Sequence, residues 1–300
     1  MLARLQQSIT LFLILAAAAW GVHFLQRGQP AWAGAGAAMI LLGYALFLGA
    51  EFMLLARFSP SEPAPPPSAS QLLRAWWAEV LTAPQVFCWR QPFRSHSEPD
   101  FTPATPVGRR GVVLVHGFVC NRAFWNPWMA RLRAAKIPFV AVDLEPLFDS
   151  IDCYPQIIDQ AVRRLEAATG TPPVLVAHSM GGLAARAWMA AYDGDHRIHH
   201  VVTIGTPHRG TWLARFGQTA NGRQMRIGSD WLNRLADREP PERFAKFTCC
   251  YSHCDNIVFP VGNATLPGAK NIHIPGAAHV HLAFQGDVFD EVLRRLQVTA

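Results

Sequence analysis

Two long uncharged apolar runs open the chain. Residues 9–25 contain no acidic or basic side chain apart from His23, and after Arg27 the run 28–50 is again uncharged. Neither run alternates with a polar face, so neither reads as the surface helix of a soluble protein. About 20 apolar helical residues cross a hydrocarbon core. The pattern therefore predicts a transmembrane helical hairpin with spans near 9–25 and 31–56, turning through Gln26-Arg27-Gly28-Gln29-Pro30. Pro30 suits a helix start, and Trp20, Trp32 and Tyr44 suit the membrane interface. A signal peptide competes for the first run, because Arg4 precedes a short apolar stretch rich in alanine. The lack of a clean small-x-small cleavage site and the second run close behind it favour the hairpin. Arg4, Arg57 and Arg74 fall on one side and Arg27 on the other, which predicts cytoplasmic termini and a cytoplasmic catalytic domain.

The pattern then changes twice. Residues 59–70, SPSEPAPPPSAS, are proline-rich and read as a semi-rigid extended spacer. Residues 71–81 place Leu72, Leu73, Trp76, Trp77 and Val80 at near-helical spacing. This is a short amphipathic helix that either packs on the following domain or lies in the membrane interface. Residues 87–105 carry no clear period. From Gly111 onward, short apolar runs alternate with helical periods, which predicts a doubly wound, mostly parallel α/β sheet. Strands are expected at 112–116, 139–144, 174–178, 201–205, 247–251 and 271–274, with helices near 125–135, 154–168, 182–192 and 288–297. The expected organisation is a membrane hairpin over 1–58, a linker and connector over 59–110, and a catalytic domain over 111–300.

The candidate chemistry sits at the ends of those strands. Ala177-His178-Ser179-Met180-Gly181-Gly182 joins a buried strand to a helix by an abrupt turn, a nucleophile elbow. Small residues are required there because strand and helix backbones pass closely, and the serine is expected in a strained conformation. A serine hydroxyl needs a neighbouring base. Of the 12 histidines, His279 follows the last strand, where the order serine, acid, histidine places the base; His281, two residues on, is the lesser candidate. His178 is expected to pack or hydrogen-bond on the far side of the turn. Asp255 follows the fifth strand and is the candidate acid. The rival position after the fourth strand, Gly205-Thr206-Pro207-His208-Arg209-Gly210, holds no carboxylate. The Phe118 and Met180 amides are the candidate oxyanion donors. Asp143, Glu145, Asp149 and Asp152 read as structural or rim residues. The polar excursion 207–245 reads as a rim or lid, and Phe118, Phe124, Trp125, Trp128, Met180 and Trp212 as weak candidates for an acyl pocket.

Composition narrows the function further. A net charge of +6 over 300 residues, with no dense basic block, argues against nucleic-acid binding. The six cysteines have no paired CxxC spacing, so Cys249, Cys250 and Cys254 read as small buried hydrophobes and no metal is expected.

The motifs Val115-His116-Gly117-Phe118, Ala177-His178-Ser179-Met180-Gly181-Gly182, Gly205-Thr206-Pro207-His208-Arg209-Gly210-Thr211, Asp255-Asn256-Ile257-Val258 and Gly276-Ala277-Ala278-His279 together resemble the lipases and esterases of the α/β-hydrolase superfamily. The likeness is to bacterial triacylglycerol lipases and to membrane lipases related to glycosylphosphatidylinositol-inositol deacylases. It covers the last two-thirds of the chain. Ala177 stands where such elbows often have a glycine, and Ala278 where a glycine often precedes the histidine; neither removes a reacting group. The resemblance implies a minimal six-stranded α/β-hydrolase core and hydrolysis of carboxylic esters through an acyl-enzyme, without a cofactor. With the hairpin, it implies a lipophilic ester or lipid substrate and a multi-pass place in a bacterial inner membrane. An acyltransferase or thioesterase on the same residues, or an inert membrane scaffold, are the alternatives.

Overall fold

The computed structural model describes residues 1–59, 62–105 and 108–297. Pro60 and Ser61 of the proline-rich stretch, Pro106 and Val107 of the connector, and residues 298–300 lie outside them. Six strands form one sheet: β1 (Val112–Val115), β2 (Phe139–Ala141), β3 (Val174–His178), β4 (His200–Ile204), β5 (Phe247–Tyr251) and β6 (Lys270–His273). Their order is β2-β1-β3-β4-β5-β6, and every neighbouring pair is parallel. β1 and β3 are buried throughout, as strands covered on both faces must be. Alternate residues face opposite layers. Val113, Val115, Leu175 and Ala177 meet helices Pro155–Thr169 and Met180–Tyr192. Val112, Leu114, Val174 and Val176 meet helices Asn126–Ala134 and Gly286–Leu296. The strand order reverses direction between β1 and β3, and the crevice beyond their carboxyl ends is where such sheets bind ligands.

The N-terminal region departs from two straight spans. Helix α1 (Leu2–Gln26) is long and apolar enough to cross a membrane, and 6% of its most apolar window is buried. Helices α2 (Pro30–Leu42) and α3 (Tyr44–Phe58) reach that length only when taken together, and they bend by 52°. The expected second span is therefore broken at Gly43. α1 and α2 fold back on each other, with Trp20 Nε1 donating to Trp32 O at 2.8 Å.

Below the break, α3 turns onto the sheet domain. Phe52 and Leu55, with Ala75 of helix α4 (Ala69–Pro84), pack against Cys254, Phe259 and Ala278. The proline-rich stretch also lies on the domain rather than standing free. Ser59 Oγ accepts from Val261 N at 3.2 Å, and His253 Nδ1 donates to Pro65 O at 3.1 Å. Ser68 then starts α4 with a capping box closed by Gln71. The two readings of the amphipathic helix coexist: Ala75, Glu79 and Val80 are buried, while Leu73, Trp77 and Leu81 are exposed on the outer face. The helix also runs further than its period indicated. Pro84 has no N–H to bond the Val80 carbonyl; Tyr44 Oη donates to that carbonyl instead, at 2.7 Å. The chain continues through a π turn (Gln85–Arg90) to Phe93. This is why residues after 84 carried no 3.6-residue signal.

Candidate active site

Ser179 follows β3 with φ 55° and ψ −130°, a conformation that L-residues adopt only when their surroundings enforce it. Its N–H bonds Ile204 O at 2.8 Å. A Cβ on Gly181 would lie 2.5 Å from His116 O and 2.7 Å from Val115 O. The small residues of the elbow are thus a consequence of β1 running directly beneath the helix that opens at Met180.

Ser179, His279 and Asp255 come together from three strand ends. Ser179 Oγ lies 3.0 Å from His279 Nε2, and His279 Nδ1 lies 2.9 and 3.0 Å from the two Asp255 oxygens. A carboxylate only accepts, so Nδ1 carries the ring proton and Nε2 is free to accept from the serine hydroxyl. Asp255 is held in turn by the N–H groups of Ile257 and Val258, at 2.9 and 2.8 Å. All three residues are buried. Burial alone would lower the pKa of His279, but the Asp255 charge and hydrogen bond, reinforced by Glu79 and Glu51, raise it above its ordinary value. His281 bonds Gln285 instead of Ser179. His178 turns away from Ser179, stacks on Phe124 and bonds the His279 carbonyl at 3.1 Å.

The loop after β1 lies against the serine. A Cβ on Gly117 would sit 2.8 Å from Ser179 Cβ, and Phe118 follows at the half-buried rim, edge-on to Phe148. Met180 opens the next helix, so its N–H is one of the orphan donors of the first turn. Val119, which follows Phe118 in the loop after β1, has φ 54°, strained for a β-branched side chain. Sequence reasoning gave His116 no role, yet it fixes this loop. Its Nε2 accepts from Leu144 N at 3.0 Å and its Nδ1 donates to Gly117 O at 2.9 Å. Burial lowers its pKa, which matches that neutral form.

Gly205 follows β4 with φ 54°, and a Cβ there would meet Asp255 Oδ2 at 2.9 Å and His279 Nδ1 at 3.2 Å. The strand end without a carboxylate is thus the wall against which the acid and histidine rest. Gly205→Ala is expected to lower kcat about 100-fold, because small displacements of reacting groups have that effect. The measurement is kcat alongside thermal unfolding; unchanged kcat would contradict this packing.

The excursion 207–245 folds into short helices; its first turn meets the N-terminal region, while Trp231, Leu232 and Leu235 pack into the core beside helix Met180–Tyr192. Trp212 stacks on Phe58 of α3 with ring centres 4.4 Å apart. The arginines of the excursion divide: Arg226 bonds its own backbone at Gly217 O (2.7 Å) and Arg215 lies over Trp212, whereas Arg209 reaches Gly262 O and Arg243 pairs with Asp195. Glu239 pairs with Arg186 of the nucleophile helix, with both side chains buried. Phe124, Trp125 and Trp128 are fully buried core rather than pocket wall. A cavity of about 490 Å³ lies elsewhere, lined by Asp152, Tyr192, Trp231, Leu235 and Arg238. Asp143 and Asp152 have structural partners, the Arg122 N–H and the Trp231 indole.

Three further residues enter from outside the expected set. Asn256 Oδ1 accepts from His279 N at 3.1 Å, and its amide donates to Glu51 at 2.6 Å. Glu79 accepts from the N–H groups of Val280 and His281 at 2.9 and 3.0 Å.

The fold has counterparts among known proteins. Residues 112–290 match the sequence profile of the alpha/beta hydrolase family. The fold resembles a lipase of Bacillus licheniformis in its mature form, with a TM-score of 0.58 at 18% identity, over 65% of this chain and 96% of that one. The propeptide form of that lipase gives 0.57 at 19% identity, over 67% of this chain and 53% of that one. A monoacylglycerol lipase of Paleococcus ferrophilus gives 0.47 at 16% identity, over 65% of this chain and 97% of that one. At these identities the likeness is one of fold. With the family profile spanning more than half the chain, this protein belongs to the alpha/beta hydrolase family.

Proposed function

We propose that the chain is a membrane-anchored serine hydrolase that cleaves lipophilic carboxylic esters. The alignment of Ser179 Oγ, His279 and Asp255, at hydrogen-bond distance throughout, carries this reading. Ser179 Oγ attacks the ester carbonyl as its proton passes to His279 Nε2. Asp255 holds the ring and favours the imidazolium. The amides of Phe118 and Met180 receive the developing oxyanion. His279 then gives its proton to the leaving alcohol as the C–O bond breaks. Water, deprotonated by the same nitrogen, releases the acid and restores Ser179.

In this reading residues 1–58 carry the anchor, 59–110 connect, and 111–300 perform the chemistry. The apolar exposed surface of α1, including Phe12, Leu15 and Val22, supports insertion in a bilayer. Retention of α1 as an anchor, rather than cleavage as a signal sequence, is supported by two bonds at its start. Gln6 donates to Gln91 at 3.2 Å, and Gln7 to Pro92 O. The same bonds favour a catalytic domain on the side of the N-terminus. Lipase neighbours in fold and the exposed Leu73, Trp77 and Leu81 of α4 favour a substrate drawn from the membrane surface.

A membrane-impermeant fluorophosphonate tests nucleophile and topology together. Labelling at Ser179 is expected in inverted vesicles and not in spheroplasts. His279 must be neutral to accept the proton, and its pKa is raised, so the labelling rate should fall as pH drops through a midpoint above 6.5. No labelling at any pH in either preparation contradicts the serine mechanism.

A further inference from the structure

We propose that Glu79 of α4, together with Glu51 of α3 acting through Asn256, is a positioning residue for His279. The N-terminal helices are then a working part of the active site as well as its tether. This rests on the serine-hydrolase reading above. Both oxygens of Glu79 are used: Oε1 takes the Val280 N–H and Oε2 the His281 N–H. Those amides belong to the first turn of the short helix His279–Leu282, whose free N–H groups otherwise lack partners. Glu51 Oε2 takes the Asn256 amide, and Asn256 Oδ1 takes the N–H of His279 itself. The backbone amides of residues 280 and 281 are therefore held directly by Glu79, and that of 279 through Asn256 by Glu51, both carboxylates lying some two hundred residues earlier in the chain.

The contact is structural in form but electrostatic in effect. Around His279 stand Asp255 from the loop after β5, His178 from β3, Glu51 from α3 and Glu79 from α4, with His281 on its own helix. Burial pushes the Glu79 carboxyl up to about 7, against the pull of the two amides and of His279. The ionised carboxylate and the imidazolium therefore stabilise each other in the pH range where ester hydrolysis is measured. A carboxylate at this place favours the charged histidine that forms as Ser179 loses its proton. Asp255 alone is not the whole acid component.

The test uses the full-length protein in membranes, with fluorophosphonate labelling of Ser179 and hydrolysis of a short p-nitrophenyl ester as readouts. Glu79→Gln keeps one acceptor, loses the charge and turns an NH₂ toward the second amide. Its kcat per titrated site should fall about tenfold or more with KM unchanged. The acid limb of its rate profile should move to lower pH, because a negative neighbour of His279 is gone. Glu79→Asp keeps the charge and should keep the limb near its wild-type position. A role confined to folding lowers the number of titratable sites but leaves rate per site and limb unchanged in Glu79→Gln, and that result overturns the proposal. A shift of the limb by Asp as large as that by Gln also overturns it. Failure of the underlying reading looks different, since wild-type Ser179 would then not label at all.

Discussion

Replacing Ser179 with alanine is expected to lower kcat for ester hydrolysis by about 10⁶-fold while leaving the fold intact. The size follows from serine proteases, where losing the nucleophile alone costs about as much as losing the whole triad. Among the described residues the only side-chain partner of Ser179 Oγ is His279 Nε2, and no second hydroxyl stands beside it. Alanine retains the Cβ that packs against Gly117, and the strained φ of 55° is enforced by the backbone bond to Ile204 rather than by the hydroxyl. Unfolding midpoints of wild type and variant should therefore agree closely. Hydrolysis of a p-nitrophenyl ester and fluorophosphonate labelling are the measurements. Retained turnover in a folded Ser179→Ala protein contradicts the assignment.

The second large effect concerns stability. Glu239→Ala is expected to destabilise the protein by about 3–5 kcal/mol, since it leaves a buried charge without its partner. Arg186 Nε bonds both Glu239 oxygens at 3.0 and 3.2 Å, and its Nη1 bonds His208 O at 2.8 Å. The pair joins the excursion to the helix that begins at Met180. Against a typical stability of about 5–15 kcal/mol, that loss is a large fraction. The physical origin is desolvation, not attraction, and this gives a sharper check. Replacing both partners with apolar residues of similar size, Arg186→Met with Glu239→Leu, should recover most of the loss. Chemical denaturation of the four proteins in the cycle supplies the numbers. A single-variant loss within 1 kcal/mol contradicts this account.

The core of the domain was legible because its rules are local. Strands covered on both faces must be continuously apolar, so 112–116, 174–178 and 247–251 stood out and match β1, β3 and β5 to within a residue. Chain order then placed Ser179, Asp255 and His279 after β3, β5 and β6, and the structure brings His279 within hydrogen-bond reach of the other two. What was not legible depended on distant partners. Pro84 looks like a helix stop, and only the Tyr44 hydroxyl at the Val80 carbonyl lets the chain continue as helix. Gly43 sits in an unbroken apolar run, yet α3 leaves that line to pack on Cys254 and Phe259. Glu51 is the first acidic residue of the chain, and Glu79 falls on the same helical stripe as Leu72 and Trp76. A lone carboxylate on an apolar face was a signal that a buried partner exists. The pattern held nothing to say that the partner was the histidine loop.

The separation between those partners also orders the assembly of the protein. Synthesis delivers α1 to α4 first, but their docking sites at His253, Asn256, Val261 and Val280 come last. Until the chain has been made past His281, the faces of α3 and α4 that meet Cys254, Phe259 and Ala278 have only each other for cover, and loops of some two hundred residues must close before the sheet domain covers them. In the membrane-anchored protein proposed above, the bilayer is the natural shelter during that interval. The seating of the N-terminal helices on the sheet is then a late event in folding, and it is the same event that finishes the surroundings of His279.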